Sequence, residues 1–233
     1  RVTVDLIYAR PDQTETQWAA ELERAIGFGT GHMSLYQLTI EEGTRFASDV
    51  RKGVFAPADD DTGADLYALT QDMMDAAGMP AYEISNHAKA GEQSRHNLTY
   101  WRYHDYVGIG PGAHGRRMAH ATQRHKKPEN YLSAMTRNAN GIGTEESLSP
   151  QTRAMEALLM GLRLTEGVNL ADIAARTGLS QRCLIDRAAA DKIIALGLLS
   201  LQGDHLIVTP RGMPLLDAIL PQIVAVEDAA VNC

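Results

Sequence analysis

Short apolar runs and helical apolar spacing alternate along the first 85 residues. The stretch VTVDLIYA (residues 2–9) is rich in β-branched and apolar side chains, which predicts a mostly buried strand. The runs HMSLYQLTI at residues 32–40 and AYEIS at residues 81–85 predict two more strands. Between the strands, apolar residues recur at helical spacing and predict two helices, the first with Thr14 as its N-cap and the second ending near Gly78.

Strand, helix, strand, helix and strand with short connections predict a parallel sheet with right-handed crossovers, which is an α/β fold. Functional residues in such sheets gather at the carboxyl ends of the strands. The segment after the third strand, residues 86–127, is rich in histidine, arginine and glycine, so we expect it to form the site. The first strand begins almost directly after Arg1 and needs cover on both faces. We therefore expect the chain to be the C-terminal part of a longer barrel-like or open α/β protein.

The predicted pattern of elements changes near residue 147, and residues 147–221 predict a small α+β domain of winged-helix type. Ser149 is the predicted N-cap of its first helix, and Ser180 caps the second helix of a helix-turn-helix pair. A hairpin turns at Gly203-Asp204, and a last helix opens at Thr209. The predicted domains are therefore residues 1–146 and 147–221, followed by a tail at 222–233.

The composition is that of a globular protein, with 44% hydrophobic and 22% charged residues among 233. No apolar run reaches about 18 residues and no signal peptide pattern is present, so we predict neither a membrane span nor secretion, and expect the cytoplasm. The two cysteines, Cys183 and Cys233, are too few and too distant for a CxxC metal site.

The net charge of -7 disfavours a general nucleic-acid binder, which needs a basic face. DNA is the usual ligand of winged-helix domains. The predicted recognition helix, however, carries Arg182, Arg187 and Lys192 against Asp186 and Asp191, which is a weak basic signal. We therefore predict a structural or partner-docking role for this domain and no nucleic-acid partner.

The overall acidity hides a basic segment at residues 87–127. It holds eight lysines and arginines against two acidic residues, a local charge of +6, and six of the eight histidines. A segment with this excess of positive charge favours a site that faces an anion.

Two motifs within the basic segment carry the candidate chemistry. GIGPGAHG, residues 108–115, resembles a dinucleotide fingerprint, but Pro111 interrupts it and no periodic helix follows, so a glycine-rich loop that admits a flat or phosphate-bearing ligand is favoured. In HNLTYW, the imidazole of His96 suits iron, and Tyr100 and Trp101 offer flat faces to a macrocycle. The alternative is that both aromatic residues belong to the core and His96 is a structural histidine.

Five ordered stretches resemble a known family. VDLIYARPDQT, HMSLYQLTIEEGT, AYEISNHAKAGEQSRHNLTYW, DYVGIGPGAHG and EALLMGLRLTEGV are similar to the oxygen-independent coproporphyrinogen III oxidase family of radical S-adenosylmethionine proteins. HNLTYW resembles more specifically its HemW branch, the heme chaperones. The resemblance implies the C-terminal part of a partial (β/α) radical S-adenosylmethionine barrel, followed by a small winged-helix-like α+β domain. In the full-length family it also implies a [4Fe-4S] cluster and S-adenosylmethionine.

The resemblance assigns roles to six residues. Asp5 matches an aspartate that contacts the ribose of S-adenosylmethionine, and Ile7 matches a residue that lines the adenosine pocket. The residues that match the branch's HNxxYW motif, associated with heme, are His96, Asn97, Tyr100 and Trp101. The motif does not say which atom ligates iron.

Two family features are missing from the sequence: the CxxxCxxC motif that holds the cluster, and the GGGTP-like segment after it. The chain alone is therefore not expected to build the cluster or to perform radical chemistry. Arg10 stands in YARP where the family usually has YGLP, a departure that we expect the cofactor edge to tolerate.

The function that the resemblance implies is a heme chaperone, which binds heme and transfers it to an acceptor protein of unknown identity. The alternative is an oxygen-independent coproporphyrinogen III oxidase, which oxidatively decarboxylates porphyrinogen propionates. Propionates are anions, so the basic segment suits both. The HNLTYW motif favours the chaperone.

Overall fold

A computed structural model describes residues 1–224, and the rest of the tail predicted at 222–233 lies outside the described residues. The chain separates into two compact units, residues 1–94 and residues 95–233. The domain boundaries predicted at 146/147 and 221/222 stay predictions. No helix in the described part of the chain is both long and apolar enough to cross a membrane.

The first unit has the predicted order of strands and helices, with one helix that was not predicted, Arg45–Arg51, between the second strand and the predicted second helix. Its elements are β1 (Thr3–Tyr8), α1 (Glu15–Ile26), β2 (His32–Gln37), α2 (Arg45–Arg51), α3 (Asp60–Ala76) and β3 (Asn86–Ala88). Thr14 caps α1 in a capping box with Gln17, as predicted for the N-cap, and Asp59 caps α3 through the main-chain N–H of Thr62.

The core of the first unit lies between the sheet and the helices α1 and α3. Trp18 and Leu22 of α1 and Leu66 of α3 are fully buried there against Met33 of β2. The Trp18 ring stacks on Tyr8 with 5.2 Å between ring centroids. Its indole Nε1 donates to the Thr70 hydroxyl at 2.8 Å. One face of the sheet is therefore closed by packing.

The prediction of three parallel strands is wrong for the third strand. β1 and β2 are parallel, with Asp5 opposite Ser34, but β3 lies at Asn86–Ala88 instead of residues 81–85 and runs antiparallel to β2. The predicted strand at 81–85 forms no continuous strand and contains only isolated bridge positions, at Ala81 and Glu83. Because the third strand is antiparallel, the placement of the following segment at the carboxyl ends of three parallel strands fails.

The expectation that β1 is mostly buried is also wrong. Its side chains alternate, and Thr3, Asp5 and Ile7 are exposed while Tyr8 is buried. This is the period of a strand with one covered face. Asp5 and Ile7 therefore share the open face of the sheet in the first unit.

Within residues 95–224 the second unit contains two small antiparallel sheets among its helices. Its elements are α4 (Arg95–Trp101), β4 (His114–Arg117), β5 (His120–Arg124), α5 (Pro128–Asn138), β6 (Ile142–Ser147), α6 (Pro150–Gly161), β7 (Val168–Asn169), α7 (Leu170–Thr177), α8 (Arg187–Ala195), β8 (Leu199–Gln202), β9 (His205–Val208) and α9 (Leu216–Ile223). The strand orders are β4-β5-β6 and β7-β9-β8.

The winged-helix prediction gives the order of the elements but misplaces two starts. Ser149 caps α6, and the hairpin of β8 and β9 turns at Gly203-Asp204, as predicted. Ser180, however, caps a single 3₁₀ turn, and α8 begins only at Arg187 with Asp186 as its cap. The last helix, α9, begins at Leu216 after a second 3₁₀ turn and not at Thr209.

The hairpin between β4 and β5 has an unusual turn. Met118 and Ala119, its two central residues, have φ of +48° and +63°, a region that side chains with a Cβ seldom adopt. The turn is held from outside: the Met118 N–H donates to Asp105 Oδ2 at 3.0 Å, and the Leu148 N–H donates to the Ala119 carbonyl at 2.8 Å.

Candidate functional site

Helix α4 places two residues of the HNLTYW motif on one face. His96 and Tyr100 are four positions apart, the spacing of neighbours on a helix surface. Their rings meet edge to face with 4.8 Å between centroids, and Tyr100 meets Tyr106 in the same way at 4.6 Å. We call His96, Tyr100 and Tyr106 the aromatic ladder. His96 is exposed at one end of it, while Tyr100 and Tyr106 are half-buried.

The other two motif residues have different surroundings. Asn97 is half-buried. Trp101 lines a separate cavity of about 560 Å³ together with apolar residues such as Leu164 and Ile173. The Arg163 guanidinium lies 4.8 Å from the centre of the Trp101 ring. Within residues 1–224 the buried indole Nε1 of Trp101 has no hydrogen-bond acceptor. The structure therefore brings His96 and Tyr100 together and gives Trp101 a site of its own.

The glycine-rich loop is pinned beside the ladder by main-chain contacts. A Cβ at Gly108 would lie 2.2 Å from the His114 carbonyl oxygen, so only glycine permits this approach. Arg124 Nε donates to the Gly108 carbonyl at 3.0 Å. The strand β4 follows the loop, and no helix opens on its last glycine, so the dinucleotide fingerprint is absent. Val107 and Ile109, which flank Gly108, are 65% and 84% exposed and offer apolar surface.

The basic segment does not act as one site. His87 is 1% exposed and lies in the core of the first unit, where burial lowers the pKa of its imidazole to about 4. Most of the other charged residues belong to the second unit, with Arg116 almost fully buried and Arg95 exposed. The anion-facing hypothesis therefore cannot include His87.

Asp5 and Ile7 lie in the first unit, on the open face of β1. The Asp5 carboxylate is exposed, and the Ile7 side chain is 47% exposed. Beside them Thr3 Oγ1 is 2.8 Å from His32 Nδ1, and His32 Nε2 is 2.9 Å from the Tyr82 hydroxyl. Burial lowers the pKa of His32. The roles predicted for Asp5 and Ile7 stay predictions.

The residues described here do not fit an iron–sulfur cluster. Within residues 1–224, no group of three or more His, Cys, Asp or Glu side chains is placed to hold a metal ion. Thiolates are the usual ligands of such clusters, and Cys183 is the only cysteine in that range. We therefore assign no cluster ligand to this part of the chain.

Sequence reasoning missed a cluster of arginines in the second unit. Arg116 on β4, Arg153 on α6 and Arg176 on α7 line one cavity, close to Tyr103. The latter two arginines lie within helices where their spacing suggests only a solvated face. No sequence pattern could have joined three residues from three elements.

Comparison with known proteins first defines the class. Residues 148–215 match the HemN C-terminal domain family. The fold matches the solved structure of coproporphyrinogen III oxidase (HemN) from Escherichia coli, a radical S-adenosylmethionine enzyme, with a TM-score of 0.73 and 17% sequence identity. The match covers 94% of this chain and 54% of that one. The α/β fold predicted from the sequence is therefore that of a HemN-like protein.

Sequence relatives narrow the class. The chain is 34% identical to heme chaperone HemW of Mycobacterium tuberculosis over 94% of its own length and 54% of the relative. It is 33% identical to HemW of Escherichia coli, over 95% and 57% of the two chains. A mitochondrial radical S-adenosyl methionine domain-containing protein 1 from Danio rerio is 32% identical, over 96% and 52%. The chain spans just over half the length of these relatives, and over that region it belongs to the HemN- and HemW-like family of radical S-adenosylmethionine proteins.

Proposed function

We propose that this protein binds heme at the aromatic ladder, with His96 as the iron ligand, and passes the heme to an acceptor protein. The observation that carries the proposal is the exposed imidazole of His96 at the end of two tyrosine rings that meet edge to face. An imidazole is a common ligand of heme iron, and flat aromatic rings pack well against a macrocycle. The name of the relatives, heme chaperone HemW, supports the same reading.

The exposure of the ladder suits transfer better than permanent storage. A cofactor that an enzyme retains is usually enclosed, with most of its surface buried. Here His96 is exposed, and Val107 and Ile109 offer apolar surface near the ladder that remains open to solvent. We propose that heme on this surface stays accessible to an acceptor protein, and we keep the cytoplasm as its predicted location.

Asp5 and Ile7 are proposed to contact S-adenosylmethionine when a cluster-bearing region is present. The group supplies radical chemistry in the family, and the open face of β1 offers it a carboxylate for the ribose hydroxyls.

A heme titration followed by visible absorbance tests the proposed ligand. We expect saturable binding near one heme per chain, and we expect His96→Ala to weaken it by roughly tenfold or more because the bond to iron is lost. Tyr100→Ala should also weaken binding, whereas Tyr100→Phe keeps the ring and should bind nearly as wild type does.

His120→Ala is the matched control, since it removes an imidazole of the same unit that is hydrogen-bonded to the Met118 carbonyl and lies outside the ladder. Circular dichroism checks the folding of each variant. Heme binding that is indifferent to His96, or equally sensitive to His120, would contradict the proposed ligand.

A further inference from the structure

A cavity of about 590 Å³ in the second unit is lined by three arginines and one carboxylate. The arginines are Arg116, Arg153 and Arg176, and the carboxylate is Asp105. One oxygen of Asp105 already accepts the N–H of Met118 at 3.0 Å. The lining therefore carries an excess of positive charge that a bound anion would neutralise.

Arg153 and Arg176 are fixed by neutral partners. Arg153 Nη2 donates to the main-chain carbonyl of Arg176 at 2.5 Å, and Arg176 Nη2 donates to that of Tyr103 at 2.5 Å. Carbonyl oxygens orient a guanidinium but do not cancel its charge. Within residues 1–224 neither side chain forms an ion pair with a carboxylate. Both guanidinium groups are thus held in place, and within the described residues neither has a carboxylate at ion-pair distance.

Arg116 is the buried member of the cluster. Its side chain is 10% exposed, and its guanidinium carbon lies 3.5 Å from the centre of the Tyr103 ring. One terminal nitrogen is 3.7 Å from Glu156, which also accepts a hydrogen bond from the Tyr103 hydroxyl, and the other donates to the His104 carbonyl at 3.3 Å. Within the described residues the buried Nε has no acceptor. Glu156 is therefore shared, and Arg116 keeps an unused donor.

Arg116 connects the cavity with the aromatic ladder, because it lines the first and lies against a ring of the second. The Arg116 guanidinium carbon lies 5.6 Å from the centre of the Tyr106 ring, and Tyr106 is the end of the ladder opposite to His96. The ladder thus leads from the candidate iron ligand, His96, to the cluster of three arginines. Guanidinium groups bind carboxylates through two parallel hydrogen bonds, and prior orientation lowers the entropy cost of binding.

We propose that this arginine cavity binds the propionate carboxylates of the tetrapyrrole whose ring is bound at the ladder. The inference rests on the proposed function, and it adds a second point of recognition: the ladder selects the macrocycle, and the arginines select its acidic edge. Arg153 and Arg176 would form ion pairs with the propionates, and the buried Arg116 would add to the positive potential of the cavity.

Three ligands separate the two points of recognition. Heme carries both iron and free propionates, heme dimethyl ester keeps the iron but has no free carboxylate, and protoporphyrin IX keeps both carboxylates without iron. We expect the full chain to bind heme most tightly and each of the other two roughly tenfold more weakly. Absorbance and the quenching of tryptophan fluorescence measure the three affinities.

Arg153→Gln/Arg176→Gln is the informative variant, because glutamine keeps a polar N–H donor but carries no charge. We expect it to weaken the binding of heme and protoporphyrin IX by roughly tenfold and to leave the ester unchanged. His96→Ala should show the converse, weakening heme and the ester but not protoporphyrin IX. Arg137→Gln/Arg182→Gln removes the same charge from two exposed arginines outside the cavity and should change none of the three affinities.

The outcomes distinguish the inference from the proposed function. Loss of heme and protoporphyrin IX binding in the cavity variant alone supports the inference. An equal loss for all three ligands, no loss, or an equal loss in the Arg137/Arg182 control overturns it. If the cavity variant behaves as expected while His96→Ala binds heme normally, the arginine cavity stands and the proposed iron ligand falls.

Discussion

Replacement of Trp18 with alanine is expected to lower the free energy of unfolding of the first unit by about 3–5 kcal/mol, the usual cost of removing a large buried aromatic side chain. Trp18 is completely buried between the sheet and α3. The substitution removes its stacking on Tyr8 and its hydrogen bond to Thr70. The Thr70 hydroxyl retains its bond to the Leu66 carbonyl, so the lost packing dominates the effect.

Urea unfolding followed by far-ultraviolet circular dichroism measures this effect without relying on the removed fluorophore. Trp18→Phe is the control, because phenylalanine keeps one aromatic ring in the core and loses the second ring with its N–H. We expect it to lower the free energy of unfolding by about 1–2 kcal/mol. A loss below about 1 kcal/mol for Trp18→Ala would show that the core of this unit rearranges to fill the space.

Acidification from pH 6.5 to pH 4 is expected to cost the first unit about 3 kcal/mol through His87 alone. Burial lowers the pKa of His87 to about 4, and the nearby Met79 main chain opposes this only in part. As the pH falls below the ordinary histidine pKa of about 6.5, His87 binds a proton in the unfolded chain but not yet in the folded chain. The stabilising contribution is complete above that pH and is lost by about pH 4.

His87→Met isolates this contribution, since methionine fills a similar volume and does not titrate. Free energies of unfolding at pH 7 and at pH 4 should differ by about 3 kcal/mol less in the variant than in the wild type. A smaller dependence on pH remains in the variant because burial also lowers the pKa of His32. Parallel profiles for the two proteins would mean that His87 already binds a proton in the folded state near pH 6.5.

The elements with strong apolar periodicity were predictable, and the polar ones were not. Helices α1, α3 and α6 have clear caps and apolar faces, and all three lie where the sequence placed them. The sheet of β4, β5 and β6 is built from strands such as HGRR and IGTEES, which carry too few apolar side chains to show an apolar alternation. The antiparallel direction of β3 depends on a turn within residues 81–85 that carries neither glycine nor proline.

The candidate site was predictable where a motif was local. His96 and Tyr100 were singled out by residue type and by the family resemblance, and the helix α4 brings their rings together. Trp101 follows directly in the sequence but lies about 100° further around the helix, which gives it other neighbours. Tyr106 joined the ladder, and Arg153 and Arg176 joined the cavity, only through tertiary packing.

The turn of β4 and β5 offers a means of engineering the mouth of the arginine cavity. Met118 and Ala119 hold left-handed backbone conformations without the help of glycine, at a cost of about 1–2 kcal/mol each. Met118 is 82% exposed on that rim. An Asn-Gly pair in its place would relax the backbone and leave every arginine untouched. The rigidity of the cavity's entrance and the chemistry of its arginine lining can therefore be changed independently of each other, by protein design as well as by natural evolution.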